Sequence, residues 1–125
     1  MFLQAFRDGD DTDADAVLLD GLIRPHLASM GEETGCATLT FADGRLDLHG
    51  LDDLGSGFMV NHVEGEAAYG FLVDVASQAD LAILPVGCPT AVCGDHLLAH
   101  LPDELRDDVV VVRTGADLLD LIRTA

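Results

Sequence analysis

The sequence contains no lysine and no tryptophan, and only six arginines stand against 23 acidic residues, 18 of them Asp. A net charge of −17 over 125 residues excludes the functions that need a basic surface. Nucleic acid is held by cations that displace its counterions, and anionic lipid headgroups are held in the same way. This chain repels both. Five Phe and one Tyr are too few for a platform on which bases stack. Three cysteines, at positions 36, 88 and 93, are an odd number in no scaffold pattern, so the reducing cytoplasm is the expected location. No apolar run approaches the ~18 residues of a membrane span. The segment Met1 to Asp8 has neither a basic start nor a long apolar stretch, so no signal peptide is expected. Gly-x-Gly-x-x-Gly, Walker, Gly-x-Ser-x-Gly and His-Glu-x-x-His motifs are all missing, and no cofactor is expected.

What is present is apolar material, 49% of the residues. That separates the chain from disordered acidic sequences, which lack the apolar surface to offset ordering entropy. Its length suits one domain over residues 1–125, burying roughly two-thirds of the unfolded surface. The acidity then has three readings: a high-salt cytoplasm, plain solubility, or a basic protein partner.

Hydrophobic periodicity predicts a single α/β domain. Phe2, Ala5 and Phe6 suggest a first strand, ended by the acidic run Asp8 to Asp15. Thr12 with Asp15 has capping-box spacing, and the helix that follows would bury Val17, Leu18, Leu22 and Ile23, with Pro25 and Gly31 closing it. Residues 37–41 and 45–49 alternate around Asp43-Gly44. A type I′ turn there predicts a hairpin pairing Phe41 with Leu46 and Leu39 with Leu48. Thr38, Thr40, Asp47 and His49 would share the wetter face. Beyond residue 56 strand and helix alternate: a strand at 57–63, a helix at 66–79, a strand at 81–86, a short helix near 95–101, a strand at 109–112, and a last helix opened by Thr114 and Asp117. This predicts a mixed sheet whose second half is a parallel βαβαβα unit, with helices packed on it.

Ligands of open α/β sheets bind beyond the carboxyl ends of parallel strands. His62 and Glu64, the turn Gly87-Cys88-Pro89-Thr90, and Arg113 with Thr114 would then meet at one edge. Cys88, placed before a helix start, would gain thiolate character, with His62 and Glu64 completing a catalytic group and His62 as its base. The backbone N–H groups of Thr90 and Ala91, with Arg113 and Thr114, would hold an anion. The alternatives are a cysteine packed beneath a tight turn, a structural strand histidine, and an Arg113 paired with Asp107 or Asp108.

Metal sites are poorly supported. Cys88, Cys93, His96 and His100 are zinc-type ligands at crowded spacing. Asp11, Asp13 and Asp15 copy the start of an EF-hand loop, but Ala16 and Leu22 stand where its glycine and glutamate belong. The expectation is therefore a non-catalytic interaction domain, binding a basic protein partner or forming a homo-oligomer. The alternative is a small thiol-dependent enzyme or anion-binding protein using Cys88, His62 and Arg113.

Overall fold

Alternating apolar residues and well-marked helix starts fix most of the elements. The computed structural model describes residues 1–31 and 36–124. In chain order these form β1 (Phe2–Arg7), β2 (Asp10–Thr12), α1 (Ala16–Ile23), β3 (Leu27–Gly31), β4 (Cys36–Phe41), β5 (Gly44–His49), β6 (Phe58–Glu64), α2 (Glu66–Ala79), β7 (Leu81–Leu84), β8 (Thr90–Val92), α3 (Asp103–Arg106), β9 (Val109–Val111) and α4 (Gly115–Thr124). Short 3-10 turns occupy Arg24–His26, Leu51–Ser56 and Asp95–His100. The nine strands make one sheet in the order β3-β4-β5-β6-β1-β7-β8-β9, with β2 paired to β1 beside that path.

The fold is mixed α/β and its sheet is mostly antiparallel, which corrects the expected parallel second half. Among the described residues only β8 and β9 pair in parallel, through Thr90–Val109, Ala91–Val110 and Val92–Val111. The physical reason is the turn at residues 85–89. Gly87 takes φ 72° and the Cys88 N–H donates to the Pro85 carbonyl at 3.3 Å, so the chain doubles back and β8 pairs antiparallel with β7. A strand stands where a helix start was expected. β6 and β7 do run in the same direction, because both are antiparallel to β1, which lies between them.

The hairpin β4–β5 keeps its expected faces but not its register. Phe41 pairs with Gly44 and Leu39 with Leu46, a slip of two residues. A two-residue slip preserves which side chains face the core, whereas a slip of one would invert them. Leu39, Leu46 and Leu48 are accordingly all fully buried. Gly44 serves a close approach rather than the turn: a Cβ there would run into the Glu64 carbonyl of β6.

Side-chain caps set the starts of α1, α2 and α4. Asp15, rather than Thr12, caps α1 by accepting from the Leu18 N–H at 3.1 Å. The buried side of α1 is Leu19 and Ile23, and Val17 is exposed. The Thr114–Asp117 capping box forms as expected. The Asp117 N–H donates to Thr114 Oγ1 at 3.2 Å and the Thr114 N–H to Asp117 Oδ2 at 3.3 Å. α2 starts at Gly65, which has no capping side chain. Asp43 of the distant hairpin turn caps it instead, accepting from the Glu66 and Ala67 N–H groups at 3.0 and 3.2 Å.

One core lies between α1, α2 and α4 and a single sheet face, including Leu3, Leu19, Val60, Leu72, Ile83 and Leu118. A smaller cluster of Ala82, Val92, Leu97 and Leu101 lies with Phe6 and Val111 packed against it. β1 and β7 contribute neighbouring residues to the two clusters, and neighbours on a strand point to opposite faces. Residues 95–106 therefore cover the far face at its β7–β9 end. Among the described residues no helix is long and apolar enough to cross a membrane.

Candidate functional site

The residues singled out at the carboxyl edge divide into two groups. His62 and Cys88 line one shallow depression of about 210 Å³, together with Val60, Tyr69, Val86 and Ile122. Arg113 and Thr114 lie at the opposite edge, because β9 runs parallel to β8 and so opposite to β7. The backbone N–H groups of Thr90 and of Arg113 are committed within the protein. The Thr90 N–H donates to the Asp108 carbonyl at 3.0 Å, and the Arg113 N–H donates to Asp117 Oδ2 at 3.0 Å. A helix N-terminus whose own capping carboxylate already sits on its donors offers little to a second anion. Glu64 is exposed and pairs with Arg45 at 3.9 Å.

His62 owes its position to an irregularity. Asp47 pairs with Asn61 while Arg45 pairs with Glu64, so β6 carries one extra residue, and His62 adopts φ 52°. Non-glycine residues in this left-handed region cost of the order of 1–3 kcal/mol and concentrate at sites of function. The bulge re-aims the imidazole, placing Nδ1 2.9 Å from Asp47 Oδ2. Thr38 Oγ1 donates to the other Asp47 oxygen at 3.1 Å. Hydrogen bonding to His62 holds the Asp47 carboxyl below its ordinary value; partial burial opposes the shift, and the Thr38 bond adds to it. With Nδ1 facing a carboxylate, Nε2 is the ring nitrogen directed away from Asp47.

The same sheet face carries a second polar group. His49 Nε2 lies 3.4 Å from Asn61 Oδ1 and 4.0 Å from Cys36 Sγ. One nitrogen faces both partners, so Asn61 does not orient the ring through its other nitrogen as a relay would require.

Cys88 is half-buried, with its thiol 3.6 Å from the Val86 carbonyl. Cys93 donates to the Val73 carbonyl at 3.6 Å, and burial, assisted by the charge of Asp74, pushes its thiol up to about 11. The zinc-type ligands weighed above are engaged separately, since His96 faces Asp80 at 3.1 Å and His100 faces Asp8 at 3.6 Å. No family model, curated protein or solved structure matches this chain.

Sequence reasoning put Thr38 and Asp47 on the wet hairpin face but missed Asp47 as the partner of His62. The signal was available only through the β5–β6 pairing, which sets Asn61 opposite Asp47 and, by the bulge, brings His62, 15 residues from Asp47, within hydrogen-bond reach. Thr90, expected at an open helix start, is instead a buried strand residue.

Proposed function

We propose that this protein is a non-catalytic interaction domain that recognises a basic protein partner. The observation that carries this reading is its uncompensated negative surface. The chain has 23 acidic residues and six arginines. Among the described residues, three of those arginines already face a carboxylate, in the pairs Arg24–Asp20, Arg45–Glu64 and Arg106–Asp103. A field of one sign speeds encounter with a cationic surface and repels other acidic chains, including copies of itself. The test is capture by the folded protein from its native lysate, followed by binding measurements on the recombinant captured protein. A basic partner whose affinity falls at least about tenfold between 0.05 and 0.5 M salt supports the reading. Capture of nothing cationic, or binding indifferent to salt, rejects it.

A second reading is favoured by the bond between Asp47 and His62. Asp47 would hold the imidazole in one tautomer, leaving Nε2 to serve as base for the Cys88 thiol across the depression that both residues line. That is the logic of a nucleophile, a base and an orienting carboxylate. Alkylation of Cys88 in the folded protein, followed by peptide mass spectrometry, tests it. His62→Gln should slow the reaction severalfold while lowering the thermal midpoint no further than loss of its exposed bond to Asp47 accounts for. An unchanged rate would dismiss the base role.

A further inference from the structure

Among the described residues β9 forms one end of the sheet, with a partner on one side only. In a parallel ladder, successive residues direct their backbone groups alternately to the two sides. Asp108 and Val112 bond inward, the Asp108 carbonyl accepting from Thr90 at 3.0 Å and the Val112 N–H donating to Val92 at 2.8 Å. Val109 and Val111 therefore turn their N–H and C=O groups outward.

Beside this edge runs an open groove of about 470 Å³, between β9 and α4. Val110 and Leu121 are its apolar residues of note, and Asp95, Asp117 and Asp120 provide three carboxylates against the single guanidinium of Arg113. Val110 is 39% exposed, a large side chain left open beside unpaired backbone. An edge strand bordered by a helix offers an extended peptide backbone hydrogen bonds on one side and side-chain contacts on the other.

We propose that an extended basic segment of a partner protein adds to the sheet as a tenth strand against β9, with alternate cationic side chains directed to Asp117 and Asp120. This inference rests on the interaction-domain reading and names its site and partner chemistry. Charge selects the occupant. A second copy of this chain would bring its own −17 to the same groove, and nucleic acid would bring phosphates.

The probe is a capped ten-residue peptide of alternating arginine and valine, used with two twins N-methylated at alternate nitrogens, one twin for each parity. Binding is followed by titration and by amide spectra of the whole chain. The parent peptide should slow hydrogen exchange at the Val109 and Val111 amides. One twin should bind at least about tenfold more weakly and the other nearly as well as the parent, since only one set of nitrogens faces β9. Val111→Pro deletes an outward N–H without touching the ladder to β8 and should weaken binding about three- to tenfold. Because proline also alters a half-buried side chain, the exposed Asp120→Lys provides the independent variant; it should weaken binding and flatten its salt dependence. Equal binding of both twins, with shifts away from β9, overturns the groove assignment while leaving the acidic-domain reading standing. Absence of binding by all three peptides at low salt overturns both. A dimer formed through β9 overturns the assignment of a basic partner to this edge.

Discussion

Replacing Asp43 with alanine removes the cap of a helix that begins 23 residues further along the chain. In the native protein its two carboxylate oxygens accept from the Glu66 and Ala67 N–H groups at 3.0 and 3.2 Å, and Gly65 at the local cap position supplies no side chain. Loss of a side-chain cap costs about 1 kcal/mol, and loss of an exposed negative charge at a helix N-terminus a further 0.3–1 kcal/mol or so. The expected destabilisation for Asp43→Ala is therefore about 1.3–2 kcal/mol. Asp43→Asn keeps one acceptor oxygen without the charge and should lose roughly half as much. For a chain of this length the alanine variant should melt roughly 5–10 °C lower. Urea unfolding followed by far-ultraviolet circular dichroism gives the free energy, and an unchanged m-value confirms that the same surface is exposed. Hydrogen exchange at the Glu66 and Ala67 amides locates the effect. The reasoning is refuted if Asp43→Ala stays within about 0.3 kcal/mol of the parent, or if asparagine proves worse than alanine.

Gly115→Ala should destabilise by about 1–3 kcal/mol in the same assay, because a Cβ there would run into the Gly70 backbone and force α4 off α2; a neutral result would show that the two helices separate readily. Cys93, its thiol raised to about 11 by burial and the charge of Asp74, should remain unmodified by iodoacetamide at pH 8 in the folded protein, and rapid labelling seen by mass spectrometry would contradict that. Asp47 titrates below its ordinary value in the folded protein, so its bond to His62 adds stability above pH ~4, and that stability is lost as pH falls through the folded value. His62→Ala should accordingly raise the Asp47 midpoint in a carboxyl carbon NMR titration; an unmoved midpoint would remove His62 as the cause.

Local signals in the sequence were reliable where two of them agreed. The capping box of α4 and the two faces of the β4–β5 hairpin follow from periodicity joined to a cap or a turn, while the bounds of α2 follow from periodicity alone. Asp43-Gly44 misled on register because the two residues answer to distant demands, one to the N-terminus of α2 and the other to the approach of β6. Pairing between remote strands left still weaker traces. β3 was hidden behind Pro25, β2 within an acidic run, and β8 behind the Gly-Cys-Pro turn. The site suffered most, because convergence of His62, Cys88 and Arg113 depended on strand direction. A single reversal after β7 separates Arg113 from the other two and leaves His62 and Cys88 around the same depression. The bulge that turns His62 toward Asp47 arises from one surplus residue in β6, and no composition or spacing rule announces it.

β1 lies in the middle of the sheet, with Leu3 paired to Phe58 on one side and to Ile83 on the other. During synthesis it emerges long before β6 or β7, and β2 is the nearby described strand it can pair with. Closing these contacts demands large loops whose entropy must be met before the pairing rewards it. Maturation is thus expected to be slow relative to a helical bundle of equal size, with Leu3 and Ala5 left as an apolar edge in the nascent chain. Of the nine strands, the earliest to be synthesised waits for β7 before it is enclosed.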